Sequence, residues 1–229
     1  MRCGTLAFDI DGVLIDSRAS YRRIVKEMSG AEEQDIAWFK QNGGFNDDWE
    51  LSRALKAWID SDRPLLPQVQ DWRDVVAACG HDPGDLTPAC EALYRQYWRD
   101  EKPLVDGGLL NVLTVDFDIV AVTGRRQWSF ERAQELLGFS FPRSTTAEQV
   151  RKPHPEALLR VLAPGSPICL LFGDSQDDRL LARNTRLYTR MPIHYVHVSE
   201  GASPQHLLED LHQGPEHAHE HAQRYGESG

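Results

Sequence analysis

Two aspartates stand one residue apart in FDIDGVL (residues 8–14), where an apolar run meets a glycine. A strand gains by burying Leu, Ala and Phe and loses by burying paired acids. Side chains of an extended chain alternate with period two, so Asp9 and Asp11 would point to one side. At the end of a strand such a pair could hold a divalent cation and do acid/base chemistry. Asp-x-Asp-Gly is also ordinary turn chemistry, and the two residues alone leave both readings open. Three further groups invite the same question. Thr123-Gly124-Arg125 follows FDIVAV, Asp174-Ser175 with Asp178 follows ICLLFG, and Lys152 lies in VRKPHPEAL, where Pro153 and Pro155 fix the entry to a helix. Each has a plain explanation when taken singly. Thr123 suits a strand, Lys152 a solvated loop, Asp174 and Ser175 a helix cap, and Arg125 and Arg126 the surface of a helix start.

These residues need elements to position them. Short apolar runs at Thr5–Phe8, Phe117–Val122, Ile168–Phe172 and Ile193–Val198 read as buried strands. Helical patterns such as Gln127–Leu137 and Pro155–Leu162 separate them. That alternation predicts an α/β fold, a Rossmann-like doubly wound parallel sheet with helices on both faces. Ligands of such sheets bind outside the carboxyl ends of the strands, the edge to which all four groups belong. Residues 17–102 break the pattern: Ile24, Val25, Met28, Leu51, Leu55, Val75, Val76 and Leu93 recur at spacings of three and four, with no strand among them. Trp38, Trp49, Trp58 and Trp98 are expected to fill the core of this helical insert. The expected organisation is an α/β core at 1–16 and 103–212, a helical unit at 17–102 and a flexible tail at 213–229. His217, His219 and His221 in that tail alternate rather than share a helical face, so no metal site is expected there.

Composition narrows the partners. The chain has 229 residues, of which 41 % are hydrophobic, enough for a real core. A formal net charge of -10 argues against nucleic-acid or anionic-membrane binding, which normally shows basic excess. No apolar stretch is long enough to span a bilayer, and the first apolar run does not read as a signal peptide. Cys3, Cys79, Cys90 and Cys169 show no metal spacing, so free thiols in a reducing cytoplasm are expected.

Taken together, the motifs resemble those of the haloacid dehalogenase-like (HAD) hydrolase superfamily. FDIDGVL is similar to its first motif, AVTGR to its second, Lys152 in RKPHP to its third, and LFGDSQDD to its fourth. The helical insert falls where one large subfamily carries its cap, and PLVDGGLLNVL (103–113) is similar to that subfamily's return to the core.

The resemblance implies a Mg²⁺-dependent phosphatase acting on a small phosphorylated metabolite through an aspartyl phosphate. Asp9 would be the nucleophile and Asp11 the general acid/base. Asp9, the backbone carbonyl of Asp11 and Asp174 would hold the metal, with Asp178 in or just behind that shell. Thr123, the Gly124 N–H and Lys152 would hold the transferring oxygens. Substrate choice would rest with the cap, where Arg18 and Asn46 are the candidate contacts and Arg22 and Arg53 further cations. Asp47 and Glu50 fit a helix-capping pair. A phosphomutase shares all four motifs, and a non-catalytic HAD-like binding protein would show motif loss. A dehalogenase would not need Asp11. A phosphonatase would need a cap lysine, for which Lys26, Lys40 and Lys56 are available.

Overall fold

The computed structural model describes residues 2–42, 45, 47–66, 71–199, 202–215 and 226–227. The chain forms two units, Met1–Asp16 with Lys102–Gly229, and Ser17–Glu101.

The first unit holds eight strands among its described residues. They are β1 (Gly4–Phe8), β2 (Ile15–Asp16), β3 (Lys102–Pro103), β4 (Phe117–Val122), β5 (Arg143–Thr145), β6 (Cys169–Gly173), β7 (Ile193–His197) and β8 (Gly226–Glu227). The main sheet runs β5-β4-β1-β6-β7-β8, with β8 alone antiparallel, while β2 and β3 form a separate antiparallel pair. Every residue of β1 and β6 is buried, as a parallel sheet covered on both faces requires. Alternate residues serve opposite faces. Leu6, Phe8, Ile119, Leu170 and Phe172 pack with α6 (Gly107–Leu113), α7 (Gln127–Leu137) and α10 (Gln205–Gln213). Ala7, Val120, Val122, Cys169 and Leu171 pack with α8 (Glu156–Leu159) and α9 (Gln176–Arg186). Phe8 and Phe172 stack at 4.8 Å, a pair adding about 0.5–1.5 kcal/mol beyond its buried area.

The expected doubly wound α/β core is therefore present, and Phe117–Val122 and Gln127–Leu137 coincide with β4 and α7. Three details differ. The strand β5 is new: its three polar residues carry no apolar run, and it forms only because the exposed edge of β4 offers it partners. The helix read at Pro155–Leu162 is shorter, and its last residues continue as hydrogen-bonded turns. Within the stretch expected as a tail, Gly226 and Glu227 pair with Val196 and Tyr195 of β7; His217, His219 and His221 lie outside the described residues.

Among its described residues the second unit is helical: a π turn at Arg18–Arg22, then α1 (Arg23–Ser29), α2 (Glu33–Asn42), α3 (Asp48–Asp60), α4 (Trp72–Cys79) and α5 (Thr87–Tyr97), closed by a 3₁₀ turn at Trp98–Asp100. Asp47 caps α3, accepting from the N–H groups of Trp49 (2.9 Å) and Glu50 (3.3 Å). Asp71 and Asp74 form a reciprocal capping box on α4. The core comprises Val25, Ile36, Phe39, Phe45, Leu51, Leu55 and Val75. Trp49 and Trp98 are buried and Trp58 packs against this core, but Trp38 is 43 % exposed. The expectation for Trp38 fails because Ile36 and Phe39 define the inner face of α2, and Trp38 lies on the other side.

Candidate active site

The chain leaves β1 for β4 and β5 on one side, then returns to β6 and β7 on the other. A crevice at such a switch point, outside the carboxyl ends of the strands, is where open α/β sheets bind ligands. Asp9 follows β1, Thr123 follows β4 and Asp174 follows β6. In-register pairing of Phe8 with both Ala121 and Phe172 brings the three ends level.

Strand alternation does not orient the first pair of acids, because β1 ends at Phe8. A tight loop does so instead. Ile10, Val13, Leu14 and Ile15 are buried anchors, and the Gly12 N–H donates to the Ile15 carbonyl at 2.9 Å. Gly12 has φ +74°, and a Cβ there would stand 2.0 Å from Asp174 Oδ2. Glycine is required twice over, for the left-handed backbone and for the approach of Asp174. The two carboxylates then diverge: Asp9 faces Lys152, and Asp11 faces Arg125.

Lys152 stands between two acids, with Nζ 2.9 Å from Asp9 Oδ2 and 2.7 Å from Asp178 Oδ1. Its side chain is buried, and its loop is held where the Asn184 amide donates to the Pro153 carbonyl at 3.0 Å. The second oxygen of Asp178 accepts from the Ser175 hydroxyl (2.5 Å) and N–H (3.2 Å), while the Asp178 N–H donates back to Ser175 Oγ. The capping box that starts α9 thus also aims Asp178 at Lys152. One oxygen from each of Asp9, Asp174 and Asp178 can lie within 4.8 Å of the others. Asp9 and Asp178 are buried there, with Asp174 more open.

Burial pushes the Asp9 carboxyl well above its ordinary value. Lys152 pulls it back, while Asp178, Asp174 and Asp11 push it further up. Burial also works against the Lys152 ammonium, yet Asp178 and Asp9 outweigh it and hold it above its ordinary value. Three clustered carboxylates with one ammonium leave a surplus of negative charge. An all-oxygen donor set of that charge fits a hard divalent cation such as Mg²⁺.

Thr123 is buried, and its Oγ1 accepts from the Arg125 N–H at 3.1 Å, which leaves the hydroxyl proton for another acceptor. Gly124 is exposed beside it. Arg125 departs most from the sequence reading. Far from a surface residue, it is 2 % exposed, and its Nη2 lies 2.6 Å from Asp11 Oδ1. A cation three residues past a strand end looks like any helix start, so the available signal was only that Asp11 would need a partner. Arg18 is an exposed residue of the helical unit, and Asn46 lies outside the described residues. Within that unit Arg22 pairs with Glu33 and Arg53 with Asp82. Lys26, Lys40 and Lys56 pair with Glu33, Asp48 and Asp60.

Residues 3–184 match the profile of the haloacid dehalogenase-like hydrolases. The chain belongs to that family. Among solved structures, this haloacid dehalogenase-like hydrolase is similar to phosphatase Tt82 from Thermococcus thioreducens, with 26 % identity, a TM-score of 0.77 and coverage of 91 % of this chain and 99 % of that one. A hydrolase from Pseudomonas syringae aligns at 19 % identity and TM-score 0.58, over 86 % of each chain. A candidate β-phosphoglucomutase from Thermotoga maritima aligns at 16 % identity and TM-score 0.54, over 93 % of this chain and 99 % of that one. At such identities the last two share the fold alone. No curated protein matches the chain. No helix among the described residues is long and apolar enough to cross a membrane.

Proposed function

We propose that this haloacid dehalogenase-like hydrolase is a Mg²⁺-dependent phosphatase of a small phosphorylated metabolite, with the helical unit Ser17–Glu101 as its substrate-selecting cap. One observation carries the reading: the Asp9 carboxylate is 2.9 Å from the Lys152 ammonium and shares a one-ion cluster with Asp174 and Asp178. A nucleophile, a cation for the phosphoryl oxygens and a metal-binding set therefore converge at one sheet edge. The name of phosphatase Tt82 supports the same reaction class.

In the first step an Asp9 oxygen attacks phosphorus while the ester oxygen departs with a proton from Asp11, giving an aspartyl phosphate and the free alcohol. In the second, Asp11 takes a proton from water as that water attacks phosphorus, which releases phosphate and restores Asp9. Lys152, the Thr123 hydroxyl and the Gly124 N–H bind the transferring oxygens. Asp9, the Asp11 carbonyl and Asp174 would hold Mg²⁺, which when bound supplies positive charge against the phosphoryl oxygens. Asp178 stands in or just behind that shell and also orients Lys152, 2.7 Å from its ammonium. A cytoplasmic setting goes with this reading, supported by the four free thiols.

The test is a screen of phosphorylated metabolites with released phosphate measured. Activity is expected with Mg²⁺ and not in excess chelator, and Asp9→Asn should lose several powers of ten in rate. Turnover by Asp9→Asn within about tenfold of wild type, with contaminating phosphatase excluded, would sink the mechanism.

A further inference from the structure

We propose that Arg125 is the positioning residue for Asp11, holding its carboxylate in the one orientation from which it serves the leaving group and the attacking water. The inference rests on the phosphatase reading. Its basis is an inequality between the two partners. The Arg125 side chain is 1 % exposed, whereas that of Asp11 is 33 % exposed. The arginine is fixed at its root, where its N–H donates to Thr123 Oγ1 at 3.1 Å and its carbonyl accepts from the Ala147 N–H at 3.1 Å. Its tip is fixed as well, because Nη1 donates to the Ser129 carbonyl at 3.3 Å in the first turn of α7. The remaining edge of the fork meets Asp11: Nε lies 3.2 and 3.1 Å from its two oxygens, and Nη2 2.6 Å from Oδ1.

Control therefore runs from the arginine to the aspartate. An Asp side chain on a loop has several staggered rotamers within reach. Acid/base work needs its oxygen within hydrogen-bond distance of the reacting atoms. A rigid planar fork selects one rotamer, which a lysine, as a point charge on a flexible stem, would not. Each of the three guanidinium nitrogens already has a partner, so the arginine acts through Asp11 and needs no contact of its own with the substrate. The same loop that presents Thr123 to the phosphoryl group thus also sets the acid/base residue.

The test compares phenyl phosphate with p-nitrophenyl phosphate, which have nearly the same shape but differ in how much the leaving oxygen needs a proton. Arg125→Ala and Arg125→Lys are assayed beside Asp11→Asn and the double variant Asp11→Asn/Arg125→Ala. Arg125→Ala should lose about tenfold more in kcat/KM on phenyl phosphate than on the nitrophenyl ester, with KM little changed. The double variant should fall within about threefold of Asp11→Asn, because both changes remove one function. Added guanidinium should restore part of the activity of Arg125→Ala and none of that of the double variant. If Arg125→Ala does not fold, Arg125→Lys decides on the same ester comparison and its own double variant with Asp11→Asn. Equal losses on both esters, or losses that multiply in the double variant, overturn the inference while leaving the phosphatase reading standing. Absence of any Mg²⁺-dependent hydrolysis by the wild type removes the phosphatase reading and the inference with it.

Discussion

On the phosphatase reading, Asp9 sits where function and stability oppose one another. Its carboxyl is held well above its ordinary value, first by burial, with Asp178, Asp174 and Asp11 adding to the effect. For an acid raised in the folded state, the stability contribution is complete below the unfolded value near 3.9 and is lost as pH rises through the folded one. In the absence of metal the wild type should therefore become less stable from mildly acidic pH upward, as Asp9 is forced to ionise. Asp9→Asn removes that charge and leaves Lys152 its contact with Asp178 at 2.7 Å. Metal-free Asp9→Asn should melt about 2–4 °C or more above wild type at pH 8, with the gap closing toward pH 4. Denaturation scans at the two pH values in chelator test this; an equal or lower Tm for the variant at pH 8 would show that the carboxylate is already compensated. The acids and Lys152 were legible in the sequence as candidates because few other uses explain such residues at one edge of a sheet together. Arg125 was not, because its burial depends on how it packs against the start of α7 and on Asp11, which is distant in sequence.

At the level of elements, the loop after β1 matters as much as the strand. Gly12 combines a left-handed backbone with a missing Cβ that would stand 2.0 Å from Asp174 Oδ2. Gly165 has φ +77° and nothing within 4 Å of its Cβ position, so a side chain there would meet the backbone strain without the clash. Substituting alanine for either should cost about 1–2 kcal/mol in backbone strain. Only Gly12→Ala should also displace Asp174, raising the Mg²⁺ concentration for half-maximal activity by about tenfold or more. Metal titrations of activity, paired with Tm for both variants, separate the two effects; unchanged metal dependence in Gly12→Ala would mean that Asp174 can move aside harmlessly. Long apolar strands and α7 could be read directly, since burial on two faces leaves a continuous apolar run and a helix leaves its own period. The short strand β5 left neither mark. Its Arg143, Ser144 and Thr145 are in a strand because Val120, Ala121 and Val122 supply the ladder. Trp38 misled for the opposite reason: residue type argued for burial, while the face of α2 was decided by Ile36 and Phe39.

On the scale of the whole molecule, the four motifs come from four separate stretches of one unit, and only the folded sheet with its helices makes them neighbours. That is why their order along the chain could be read as chemistry before any contact was known. What stayed hidden were properties of pairs, such as which acid takes which cation. Unit boundaries carry a further consequence for how the chain is made. The helical unit is one unbroken stretch, Ser17–Glu101, whereas β1 is the central strand of the other unit and the earliest to be synthesised. Its partners are Phe117–Ala121 on one side and Cys169–Phe172 on the other. During vectorial synthesis Leu6, Ala7 and Phe8 must wait, unpaired, until both partners have emerged, while the helical unit can close long before. Ribosome-arrested nascent chains of increasing length, probed by limited proteolysis, should show α1 to α3 protected while β1 is still cleavable, and simultaneous protection would contradict that order. The strand that leads into Asp9 thus precedes its partners in synthesis and is among the last to find its place.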